Sequence, residues 1–195
     1  MPLFARLLLC TSLLSTPLWA QQPTPTPTPP PAAPEEGYTQ EEIVDEAEAF
    51  FGDMTEGLAK AIERAFSEMG EPNAYILGEE VSAAIGVGAR YGQGTLSLAE
   101  GESRPIFWQG PSIGFDTGGN ASKVMALIYN LDDVSKLYQR YPGVDGSLYF
   151  IAGASLNYLR SGDVTIAPIR TGVGARAGVS VGYLHFTKKQ SLIPF

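Results

Sequence analysis

The apolar residues of this chain change their period near Tyr75, and that change constrains the fold more than any other feature. Before it they recur every third or fourth position, as on one face of a helix; after it they recur every second position, as in strands. Val81, Ala83, Ile85, Val87 and Ala89 alternate with Ser82, Gly86, Gly88 and Arg90, and Gly92-Gln93-Gly94 then predicts a turn into residues 95–98. Residues 103–109 place Ile106 and Trp108 on one face. Phe150, Ala152, Ala154, Leu156 and Tyr158 read as one long strand, and Val173, Ala175, Ala177, Val179, Val181 and Tyr183 as the last. Eighteen of the 22 glycines lie from Gly78 to Gly182, where they suit the bends and close backbone approaches of a strongly curved sheet. The expected fold is mainly β: a small antiparallel barrel of about eight strands. Two amphipathic helices precede it, and one short helix over residues 131–141 interrupts it.

The helices have their own grammar. Thr39-Gln40-Glu41-Glu42 is a capping box, with Thr39 as N-cap and Glu42 reaching back from the third helical position. Ile43, Ala47, Phe50 and Met54 form one stripe; Leu58, Ala61, Ile62, Ala65, Phe66 and Met69 form a second, ended by Gly70 and Pro72. Residues 123–129 (KVMALIY) are apolar on both faces, so the outer side of that strand needs a cover. The two helices are the expected cover, with Phe50, Leu58, Ile62 and Phe66 as its core residues.

Upstream, residues 7–20 are mostly apolar, with Arg6 before them and Ala20 at their end, the pattern of a secretory signal peptide. The segment is too short to span a bilayer, which takes about 20 residues. The only cysteine, Cys10, falls inside it, so no disulfide framework is expected after cleavage near Gln21. Leu9 stands where a lipidation box would have a small residue, which argues against an acylated Cys10. Residues 21–36 hold seven of the 15 prolines and form an extended spacer. The expected layout is therefore signal peptide 1–20, spacer 21–36 and one domain over 37–195, with helices to 72 and β structure from 73.

The formal net charge of −8 is uneven. Residues 35–80 hold 14 acids against Lys60 and Arg64, whereas residues 81–195 hold seven acids against ten Lys or Arg. No basic stripe exists for nucleic acid. His185 is the only histidine, so neither a Ser-His-Asp triad nor a multi-histidine metal site is expected; a wall or rim position on a strand accounts for it. Asp116, Asp145 and Asp163 each neighbour a glycine turn, whose chemistry explains them without a carboxylate pair. No enzymatic activity, cofactor or metal is expected.

Longer strings point further. RYGQGTLSL, WQGPSIGFDTGGNASKVMALIYNLDD, LYQRYPGVDGSLYFIAG and APIRTGVGARAGVSVGYLHF resemble the EipA family, envelope integrity protein A, over about residues 38–195. The resemblance implies a soluble periplasmic β-barrel of Gram-negative bacteria with a role in envelope integrity and no catalytic residues. The order of elements is also similar to that of SYLF lipid-binding domains. Binding is then the expected work, of an envelope lipid, a glycan precursor or an envelope protein. Candidate ligand contacts are Arg170 and Arg176, six residues apart, with Arg90, Trp108 and Tyr91; Phe115, Tyr149, Tyr158 and Tyr183 are further aromatic candidates. A buried arginine among them needs a partner. Two other readings stay open: a carrier with a hollow barrel, and an outer-membrane barrel. Pro194 near the terminal Phe195 counts against the latter.

Overall fold

The computed structural model describes residues 37–116, 121–171 and 182–191, with backbone alone at 83–87, 112–116 and 121. Helix α1 (Gln40–Phe51) begins at the expected capping box: Thr39 Oγ1 accepts from the Glu42 N–H at 3.3 Å, and Glu42 Oε2 accepts from the Thr39 N–H at 2.8 Å. Helix α2 (Glu56–Met69) starts from Thr55, whose hydroxyl accepts from the Leu58 N–H, and stops at Gly70 with φ of 79°. Among the described residues nine strands follow in a single sheet: β1 (Ala74–Leu98), β2 (Ser103–Asp116), β3 (Ala121–Tyr129), β4 (Arg140–Pro142), β5 (Tyr149–Ile151), β6 (Ala154–Leu156), β7 (Leu159–Ser161), β8 (Val164–Thr171) and β9 (Tyr183–Thr187).

Every pairing is antiparallel, in the order β4-β9-β2-β1-β3-β8-β6-β5, with β7 also on β8. The sheet curls: an isolated antiparallel bridge, Gly143 with Leu159, and the bond from the Val144 N–H to the Tyr158 carbonyl (2.9 Å) bring the β4 edge back to β7. Strand parity then separates two apolar layers. Ile76, Leu96, Ile106, Trp108, Val124, Ala126, Ile128, Val164, Ile166, Leu184 and Phe186 face inward and pack together. Met125, Leu127, Tyr129, Ala167 and Ile169 face outward beneath Ile43, Ala47, Leu58, Ala61, Ile62 and Ala65 of the helices. The two-faced β3 is thus buried on both sides, and the helices are its cover. Phe66 is half-buried at the margin of that layer, and Phe50 lies outside it, under the Lys123 ammonium.

Four local expectations need correction. Gly92-Gln93-Gly94 is no turn, because β1 runs unbroken through it. Its first half pairs with β3 and its second with β2, and the two halves cross in contact: a Cβ on Gly78 would stand 2.7 Å from Gly94 Cα. The glycines permit this backbone crossing. The same crossing turns the glycine-bearing face of β1 inward, so Arg90 is buried and Val81 is 44% exposed, the reverse of the expected parity. The expected strand through Phe150 and Tyr158 is instead a hairpin, since Ala152 and Gly153 both take positive φ, 44° and 89°, between β5 and β6. The expected helix over 131–141 shrinks to a 3-10 turn, Val134–Leu137, capped by Asp133, because Arg140–Pro142 pairs with β9. The expected last long strand lies outside the described residues up to Tyr183, where β9 begins.

Candidate functional site

Three candidate residues converge inside the barrel, on a partner the sequence reading missed. Glu80 lies on the inward face of β1, two positions beyond Gly78, and is buried. The Arg170 Nε–H donates to its Oε1 at 3.0 Å and the Nη2–H to its Oε2 at 3.3 Å. The Arg90 Nη1–H donates to Oε1 at 3.4 Å and the Trp108 indole N–H to Oε2 at 2.8 Å. Arg170 spends Nη1 on the Asn157 amide oxygen (3.2 Å), and Arg90 spends Nε on the Pro111 carbonyl (3.2 Å). Burial pushes the Glu80 carboxyl up, but Arg170, Arg90 and the hydrogen bonds from Arg170 and Trp108 outweigh it and hold the pKa at about 2. Burial lowers the Arg90 guanidinium, opposed by Glu80 and reinforced by Arg170. These groups form a polar layer over the apolar core.

Glu80 was hidden by its neighbourhood. Glu79-Glu80 reads as the end of the acidic run, and a solvated face is the ordinary home of such a pair. The signal was the parity of Ile76, Gly78 and Glu80, together with two strand arginines that each required an anion. Arg176 lies outside the described residues, so its distance from Arg170 is not part of this geometry.

Below that layer the described side chains pack closely. The void among them measures about 10 Å³, lined by Ile76, Trp108, Val124, Ala126, Pro168, Arg170, Leu184 and Phe186. That is room for one water at most.

Tyr91 points the other way, to the outer face of β1, β2 and β9, where two cross-strand rows lie side by side. Gln109 sits between Tyr91 and His185, and Phe107 between Gln93 and Thr187. Tyr91, Gln93, Phe107, Gln109 and Thr187 of these rows wall a cavity of about 180 Å³, edged by Glu79, Val81, Gln190 and Ser191. Gly92 lies at its floor, with the Trp108 indole so close that a Cβ there would overlap the ring, so Trp108 serves both the inner layer and the outer cavity. Gln109 is 4% exposed, and its amide oxygen has no hydrogen-bond partner among the described residues. His185, half-buried beside Gln109, has its pKa lowered by burial and then by Arg140.

The other aromatic candidates disperse. Tyr149 and Tyr158 meet edge to face on the helical side, with the Arg64 guanidinium 3.6 Å from the Tyr149 ring centre. Tyr183 packs near Arg140, and the Phe115 side chain is outside the described residues. Asp145 and Asp163 occupy turns with Gly146 and Gly162. Among the described residues, no cluster of three or more acidic, His or Cys side chains is placed to hold a metal ion.

Comparison with known proteins adds the following. The family model described as Envelope integrity protein A matches residues 36–195. The crystal structure of an uncharacterized beta-barrel-like protein from Brucella abortus is similar, with a TM-score of 0.74 and 50% sequence identity, covering 82% of this chain and 99% of that one. No curated protein matches the sequence.

Proposed function

The chain belongs to the envelope integrity protein A family, and from that premise we propose that it is a non-enzymatic, exported protein that supports the cell envelope by binding at its surface. The close packing of the described residues inside the sheet is the observation behind this reading. A drug-sized ligand needs roughly 300–1,000 Å³, against about 10 Å³ inside the described barrel. This favours surface binding over carriage of a lipid within the barrel. An outer-membrane barrel turns an apolar outer face to lipid and a polar face inward. Here the interior is apolar up to the Glu80 layer, and the outer faces of β3 and β8 lie beneath amphipathic helices. No described helix is long and apolar enough to cross a membrane.

Periplasmic residence is part of the proposal and is supported by the signal-like pattern of residues 7–20, which lie outside the described residues. The test is expression of the full chain in a Gram-negative host whose own copy is deleted. The protein should be released by osmotic shock, restore growth under detergent stress, and carry no lipid detectable by mass spectrometry after purification without detergent. Stoichiometric lipid in the purified protein would refute surface action in favour of carriage.

A further inference from the structure

We propose that the cavity walled by Tyr91, Phe107 and Gln109 binds a single neutral sugar ring of an envelope glycan. This deepens the surface-binding reading and rests on it. At about 180 Å³ the cavity is below the size of a drug-like site, suited to one ring rather than an acyl chain.

Its chemistry selects the class. The Gln109 amide oxygen is buried without a donor among the described residues, an arrangement costing about 1–3 kcal/mol until a donor arrives. A carboxylate brings only acceptors, a phosphate brings a net negative charge, and no Lys or Arg is among the described lining residues to attract either. An ammonium would need its counter-charge at the buried end of the cavity. The lining carboxylate, Glu79, is exposed, and the buried Glu80 is already engaged by Arg170, Arg90 and Trp108. A hydroxyl satisfies Gln109 without a charge. Tyr91 and Phe107 supply apolar surface for the carbon face of a pyranose, and the amide of Gln93 and the hydroxyl of Thr187 are rim partners for its remaining hydroxyls. This face of the sheet also lies away from the helix-covered β3 and β8.

Saturation-transfer NMR on the purified chain tests this with two neutral probes, maltotriose and triacetylchitotriose, beside inorganic phosphate and spermidine as charged controls. At least one neutral probe should bind saturably, with transfer concentrated on one ring. Gln109→Leu, which keeps the volume and removes the amide, should weaken it about tenfold, and Tyr91→Ala should weaken it as well, while both variants still melt cooperatively. Binding of neither sugar, equal binding by both variants, or binding of a charged control alone would overturn the proposal. If neither sugar binds yet Gln109→Leu fails to protect the deletion strain, the ligand class is wrong and the surface reading stands. If the sugars fail and lipid co-purifies with the wild type, both are wrong.

Discussion

Replacing Glu80 by Gln removes a carboxylate that faces both buried guanidiniums. Arg170 and Arg90 remain buried, and three guanidinium N–H groups and the Trp108 indole N–H lose an anionic acceptor. Breaking a buried ion pair from one side costs about 3–5 kcal/mol. The carboxyl's depression from 4.5 to about 2 is worth about 3 kcal/mol. The sign follows from the direction. Because the folded-state pKa is lowered, the stabilisation is complete above the unfolded value of 4.5 and disappears as pH falls toward 2. Urea unfolding followed by far-ultraviolet circular dichroism should therefore show the variant about 3–5 kcal/mol less stable at pH 7, with the gap closing between pH 4.5 and 2 as the wild type protonates. Glu79→Gln, one position away and exposed, is the control and should stay within about 0.5 kcal/mol. A Glu80 variant within about 1 kcal/mol of wild type at pH 7, or a gap indifferent to pH, would refute the reasoning.

Four further substitutions test the packing by the same unfolding measurement. Gly57→Ala should destabilise the protein by about 1–3 kcal/mol although Ala is the better helix former, since its Cβ would meet the Ile151 and Ala152 carbonyl oxygens of the β5–β6 hairpin; a gain in stability would show that α2 does not press on the hairpin. Ile62→Ala should cost about 2–5 kcal/mol, because Ile62 is fully buried under the sheet, and Phe50→Ala, outside that layer, should cost clearly less; equal costs would contradict the assignment of the helical cover. Gly94→Ala should prevent cooperative folding, since its Cβ would stand 2.8 Å from Gly78 Cα; a soluble variant of wild-type stability would mean the two halves of β1 do not cross so closely.

Where the sequence was legible, local chemistry and tertiary demand agreed. The Thr39–Glu42 box starts α1 because both orphan amides find partners within four residues. Residues 123–129 announce a strand covered twice, because no parity of that segment hides all its apolar side chains from water. The hairpin at Ala152-Gly153 was less visible: Ala152 adopts a positive φ that its side chain does not advertise, so alternation ran on through the turn. The parity of β1 failed for a different reason. A glycine-rich face looks like the solvent face by hydropathy, yet a small barrel needs that face inside, where backbones cross and the Trp108 indole takes up the room that glycine leaves.

That inversion also explains why the arginines of the sequence reading meet a carboxylate, and where ligand-facing chemistry then lies. Arg90 and Arg170 stood out because their neighbours were small or apolar, and cations in such places suggest an anionic ligand. Their geometry assigns them an internal anion first: Arg170 bonds Glu80 through two nitrogens, and a phosphate entering there would have to displace a carboxylate held at a pKa of about 2. The exchange would strand Glu80 beside a second anion in a dry layer, at a cost of several kcal/mol. The outer cavity asks for no such displacement. It offers an acceptor with no partner among the described residues, two aromatic walls and a glycine floor resting on the indole that Glu80 anchors. The ion cluster therefore bears on the proposed binding through Trp108, whose ring it holds against Gly92, and the proposed surface is the opposite face of the same strands.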